Sequence, residues 1–175
     1  MLYGFEDREP SVDPLAYISD TAQVIGDVVV GPHCYVGHGV ILRGDYGRIE
    51  IGTGTAIEEG VIGHAPPGET FRIGDHVTVG HGAVIHGMGI DDWAVVGMGA
   101  ILSLRSRVGR WSIVAEGAVV RMMQEVKDGM VVAGNPAQDV RETAEKDRAL
   151  WEFGKQLYVD LAARYLAGGI RPLDR

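Results

Sequence analysis

The chain has 175 residues, 46% of them hydrophobic, which is enough for one core and an added terminal element. Its net charge of −8 excludes nonspecific nucleic-acid binding, which depends on Lys and Arg neutralising phosphates. A single cysteine, Cys34, excludes an intrachain disulfide. There is no basic leader and no run of about 18 apolar residues, so the expectation is a soluble cytoplasmic protein.

Residues 1–24 read as an irregular lead-in, with Pro10 and Pro14 breaking any helix. From Ile25 an aliphatic residue recurs about every six positions, usually with glycine next: Ile25-Gly26, Val30-Gly31, Val36-Gly37, Ile51-Gly52, Ile73-Gly74, Val79-Gly80, Val96-Gly97 and Val108-Gly109. Six fits neither the helical 3.6 nor the alternation of a simple meander. It fits a parallel β-solenoid, in which each unit is a short strand and a corner and three units close a coil of about 18 residues. A β-sandwich with glycine turns is the weaker alternative, because it needs turns every 8–12 residues and polar alternation. The repeat is interrupted between Leu42 and Ile51 and again at His64–Arg72, where a protruding loop is expected. It fades near Val120, giving a solenoid domain over 25–140. In 141–175, Leu150, Phe153, Leu157, Leu161 and Tyr165 at helical spacing predict an amphipathic C-terminal helix lying on the solenoid. Trp93 and Trp111, 18 residues apart, share an outer face as its dock or as a subunit contact.

Three histidines stand out against this frame. His64 follows Gly63 and His86 follows Ile85, the same place in their units, and 22 residues separate them: one coil plus a four-residue insertion. They are expected on adjacent rungs, with Arg43 in the corresponding place one coil earlier. His81 falls on the neighbouring face with Glu59 and His38, out of easy reach of the other two in one chain. Three solenoids around a three-fold axis would bring it to the His64/His86 edge of the next, so the spacing predicts a homotrimer. Three neutral imidazoles with one open position make a catalytic zinc site, and metal-bound His needs an acceptor for its second N–H. Asp45, Glu58 and Glu59 are in range; His33, His38 and His76 are read as fillers and Cys34 as a packed thiol.

Arg43-Gly44-Asp45, Gly60-Val61-Ile62-Gly63-His64, Gly80-His81-Gly82-Ala83-Val84-Ile85-His86-Gly87, Val96-Gly97-Met98-Gly99-Ala100 and Gly134-Asn135-Pro136-Ala137 resemble, in order, the signatures of the γ-class carbonic anhydrase family. The resemblance covers nearly the whole chain and implies an all-β solenoid, a left-handed parallel β-helix of hexapeptide repeats with a C-terminal α-helix. It also implies Zn2+ (or Fe2+ or Co2+) at trimer interfaces, held by His64 and His86 of one subunit and His81 of its neighbour. The implied activity is reversible hydration of CO2 to bicarbonate by a metal-bound hydroxide, with Arg43 and Asp45 paired to orient the site and Glu58 and Glu59 beside it.

Two departures bear on activity. Many members have Asn-Ile-Gln-Asp-Gly where this chain has Ala56-Ile57-Glu58-Glu59-Gly60, so Glu58 replaces a glutamine that helps place the metal-bound water. A long acidic loop is also missing; Glu69 in the short loop is read as a solvated residue rather than a proton shuttle. Arg43-Gly44-Asp45-Tyr46-Gly47-Arg48 and the tail with Trp151 and Tyr158 look most like the branch linked to phenylacetate and carnitine pathways. Acyl-CoA thioester hydrolysis and a catalytically weak trimeric scaffold are the alternatives there. A hexapeptide acyltransferase is disfavoured because that class needs one basic histidine and no stacked pair.

Overall fold

A short strand of two residues cannot stand alone, and here each is held by identical strands above and below. The computed structural model describes residues 1–171 and 173. Three inward ladders line its interior. The first is Val24, Leu42, Gly63, Ile85, Leu102 and Val120. The second is Val30, Ile51, Ile73, Ile90, Val108 and Val126. The third is Ile18, Val36, Ile57, Val79, Val96, Val114 and Val132. All these pairings are parallel, and the chain forms a left-handed β-solenoid of about seven turns. Apart from half-buried Ile18 and the side-chain-free Gly63, the residues on these ladders are almost wholly removed from water, each such side chain contributing about 1.5–3 kcal/mol.

The coils begin before Ile25, and at the far end the ladders run on past Val120, where the repeat fades, within the 25–140 read for the solenoid. Ser11–Val12 and Tyr17–Ile18 pair with Gln23–Val30 and Tyr35–Val36, so part of the lead-in is already a coil. At the far end Val126 and Val132 continue the ladders past Val120, and Gln138–Glu142 closes the stack by pairing antiparallel to Met130–Ala133. The early phase was hidden by Gly26, which follows Ile25 and imitates the repeat's punctuation. The buried residue is Val24, and Ile25 lies one place further on, opposite Arg43.

Both interruptions are absorbed close to the body. Gln23–Val30 and Ile41–Ile51 run unbroken round one corner, joining two faces, and the extra residues form an irregularity opposite Gly26 and Val28. The segment after His64 does not protrude freely: Gly68 N–H donates to the Tyr46 carbonyl at 2.9 Å and Arg48 N–H to that of Glu69 at 2.9 Å. Gly47 permits this approach, since a Cβ there would lie 2.2 Å from the Pro66 carbonyl oxygen.

The helix α1, Glu145–Arg164, lies along the third face. It docks through Trp151, Lys155, Tyr158, Ala162 and Tyr165, with Tyr158, Leu161, Ala162 and Tyr165 packed on Tyr17, Tyr35 and Ala56. The stripe expected to face the solenoid is only partly correct, because Leu150, Phe153 and Leu157 are 65%, 65% and 51% exposed. A mixed face won over the apolar one because its aromatics pack at a tilt against the tyrosine ladder, Tyr158 on Tyr35 and Tyr165 on Tyr17. Trp93 and Trp111 do stack, 4.8 Å apart and 8° from parallel, with His76 on one side and the Arg148 guanidinium of α1 on the other. Among the described residues no helix is long and apolar enough to cross a membrane.

Candidate metal centre

His64 and His86 occupy one outward ladder at the end of the first face. Arg43 pairs in register with His64, and Gly63 pairs with Ile85, which puts His86 on the next rung. The imidazole centres are 4.8 Å apart. Gly63 lets the rungs close: a Cβ there would meet Leu42 Cδ2 at 3.0 Å and Ile85 Cγ1 at 3.4 Å, so its neighbours already fill the interior beneath His64.

Asp45 ties this edge together. Its Oδ2 accepts from Arg43 at 2.6 Å and its Oδ1 lies 3.1 Å from His64 Nε2. Burial works to raise the Asp45 carboxyl, but the donors Arg43, His64 and the Tyr46 N–H outweigh it and hold it below the usual range. His86 is different: its Nε2 is buried with no hydrogen-bond partner. Burial, then His64 and Arg43, push its pKa down, favouring the neutral imidazole. A buried, unpartnered ring nitrogen on an imidazole 4.8 Å from a second one is the donor chemistry a borderline-soft divalent cation takes.

His81 belongs to a second cluster, at the corner after the third face. Its Nδ1 is 2.8 Å from Glu59 Oε2, and its Nε2 is 3.1 Å from Glu58 Oε2, which also accepts the His81 backbone N–H at 3.1 Å. Gly82, at φ +68, makes the corner that presents it. Glu59 also accepts from the Tyr35 hydroxyl at 2.6 Å. Burial opposes ionisation of Glu59, but Tyr35 and His81 prevail and hold its carboxyl low. Glu58 is only 6% exposed, and burial raises its carboxyl against the pull of His81 and of a hydrogen bond with Tyr158. His81 therefore has a carboxyl oxygen at each ring nitrogen, Glu59 at Nδ1 and Glu58 at Nε2. The His81 side chain is 47% exposed, open to a neighbouring molecule.

One chain therefore brings together Arg43, Asp45, His64 and His86, and separately Glu58, Glu59 and His81. Among the described residues no three His, Cys, Asp or Glu side chains converge as a metal-holding group. Glu69 is not a free loop residue: its Oε1 accepts from Arg105 at 2.6 Å, and its Oε2 is buried without a partner. Sequence reasoning missed Tyr35 and Lys155. The only signal for Lys155 was its place between Trp151 and Tyr158 on one helical face.

No protein-family model matches the chain. It is 34% identical over 174 residues to the mitochondrial γ carbonic anhydrase 1 of Arabidopsis thaliana, covering 96% of this chain, and it spans 63% of that relative's length. It is 34% identical over 162 residues to the carnitine operon protein CaiE of Escherichia coli K12, covering 93% of this chain and 83% of CaiE. A solved hexapeptide transferase family protein from Anaplasma phagocytophilum superposes with a TM-score of 0.89 at 33% identity, over 94% of this chain and 97% of that one. The chain belongs to the hexapeptide-repeat family that holds the γ carbonic anhydrases and CaiE.

Proposed function

We propose that the protein is a divalent-cation-dependent γ-class carbonic anhydrase that hydrates CO2 to bicarbonate at sites built between the subunits of a homotrimer. The observation that carries this reading is the pair His64 and His86, 4.8 Å apart, with His86 Nε2 buried and unpartnered. In this reading His64 and His86 of one subunit and His81 of the next hold the cation, zinc fitting an all-imidazole set best. When bound, the cation supplies Lewis acidity that lowers the pKa of water towards about 7.

The chain's own residues supply the rest. Asp45, fixed by Arg43, orients His64 through Nε2; Glu59, fixed by Tyr35, orients His81 through Nδ1. Glu58, whose carboxyl burial raises, is the group placed beside His81 to accept and return a proton. The trimer reading is supported by an outward aliphatic ladder on the face that carries His64 and His86. Ile62, Val84 and Ile101 are 45%, 40% and 40% exposed on consecutive rungs. Such a contiguous stripe on a β-face is what a subunit contact would cover.

Stopped-flow CO2 hydration, with and without a chelator, tests the activity; release of free CoA from acyl-CoA thioesters is run alongside. CO2 hydration abolished by the chelator and restored by zinc is the expected result. Metal-dependent CoA release without CO2 hydration would replace this reading with the thioesterase one.

A further inference from the structure

Each corner of the first face carries a row of side chains, one per coil. The row at the corner after the third face is Asp20, His38, Glu59, His81, Met98 and Glu116, each two places after its strand's inward residue. Its rungs are tied in order: Gly60, Gly82, Gly99 and Gly117 donate their backbone N–H to the carbonyls of His38, Glu59, His81 and Met98 at 2.8–3.0 Å. The row at the far corner is Ile25, Arg43, His64, His86, Ser103 and Arg121, five residues further on in every coil. The first row holds three acids and no lysine or arginine; the second holds two arginines and no acid. Between them the outward aliphatic stripe runs on from Ile101 to Val119, in the coil of Glu116 and Arg121.

Most of the charges on these rows are engaged within the chain. Arg43 and His64 share Asp45, His38 bonds Ser19 at 2.7 Å, and Glu59 binds Tyr35 and His81. Glu116 and Arg121 are exposed, and among the described residues neither forms an ion pair. A three-fold rotation carries a subunit round the axis without sliding it along, so with the axis along the solenoid each coil meets the same coil of its neighbour. That is how His81 would meet His86, and the same step sets Glu116 opposite Arg121 two rungs on, about 10 Å away at roughly 4.8 Å per rung. We propose that Glu116 of one subunit pairs with Arg121 of the next, an ion pair that fixes the register in which the two corners meet. The pair rests on the trimer reading above. A slip of one coil would bring Glu116 to Ser103 or Arg121 to Met98 and leave both charges unpaired. An exposed pair contributes little to stability alone; its effect is on register and on the rejection of wrong contacts.

Charge reversal on the full chain tests the pair. Wild type, Glu116→Arg, Arg121→Glu and the double reversal are compared by sedimentation on dilution, with subunit exchange between labelled trimers as the second readout. Either single reversal sets like charges against each other at every interface and is expected to weaken assembly by about tenfold or more. The double reversal restores opposite charges across each interface with net charge unchanged, and is expected to assemble within about twofold of wild type. The defect of the single variants should shrink in about 1 M salt, where the screening length is about 3 Å, which a loss of packing would not do. Should one single reversal fail to fold, the other, set against the double reversal, decides. Single reversals that assemble like wild type, or a double reversal no better than the weaker single one, would overturn the proposal and leave the metal site untouched. Trimers that show the rescue without binding Zn2+ would uphold the pair and sink the carbonic anhydrase reading. A wild-type chain that stays monomeric at every concentration would overturn both.

Discussion

His64 and His86 stand on consecutive rungs of one ladder, ring centres 4.8 Å apart, yet only His64 has a carboxylate partner. His86 keeps a buried nitrogen with nothing to bond. A ligand role predicts that His86→Ala reduces bound Zn2+ to near zero by elemental analysis while stability changes by no more than about 1 kcal/mol, since no hydrogen bond to that nitrogen is lost. A large loss of stability with metal retained would mark His86 as a structural residue.

Gly63 is the one empty place on the first inward ladder. Valine there would press on Leu42 and Ile85, which already stand 3.0 and 3.4 Å from the position of a Cβ. Gly63→Val is expected to destabilise the fold by about 1–3 kcal/mol in urea denaturation and to weaken Zn2+ binding by displacing His64. A neutral effect on both would mean the rung has slack that the packing does not suggest.

Lys155 makes stability depend on pH in a defined direction. Its ordinary value near 10.5 falls to about 7 in the fold, so between those values the unfolded chain holds more protons and stability rises with pH. The slope is about 1.4 kcal/mol per pH unit, so stability should climb by roughly 2–3 kcal/mol from pH 7 to pH 9. Above pH 9 Cys34 works the other way, because burial pushes its thiol up to about 12 and the unfolded thiol loses its proton first. Chemical denaturation across pH 7–9 should show the rise in wild type and a flat line in Lys155→Met.

The outer stripe of α1 should tolerate polarity in the isolated chain. Changing Leu150 and Phe153 to Gln is expected to shift stability by less than about 0.5 kcal/mol each, whereas Trp111→Ala, which breaks the stack under Arg148, should cost about 3 kcal/mol or more. Comparable losses from both would show that the exposed stripe is covered in the assembled protein.

Much of this architecture was legible because a solenoid repeats its own evidence. Val36, Ile57 and Val79 share a ladder because each stands one coil from the next, and that spacing survives in the sequence even where a coil is lengthened. The adjacency of Arg43, His64 and His86 followed from the same counting. What the counting missed was whatever depends on a second element crossing the coils. The helix has two stripes with hydrophobic residues, and hydropathy favoured the one with Leu150, Phe153 and Leu157 over the one carrying Lys155. Only the tyrosine ladder formed by Tyr17 and Tyr35, invisible until the third face is assembled, selects the other. For the same reason a lysine reaching Thr78 and Ala94 from 77 and 61 residues away left no local mark.

The central claim is that His81 completes a site begun by His64 and His86 of another subunit, and mixed assemblies test it most directly. Co-expressed His81→Ala and His86→Ala chains are each defective, but a random trimer would pair an intact His64/His86 edge with an intact His81 corner at about one interface in four. The account predicts that the mixture recovers about a quarter of wild-type Zn2+ content and CO2 hydration, while neither variant alone has either. No recovery in verified mixed trimers, or a metal-bound, fully active monomer of the wild-type chain, would contradict it.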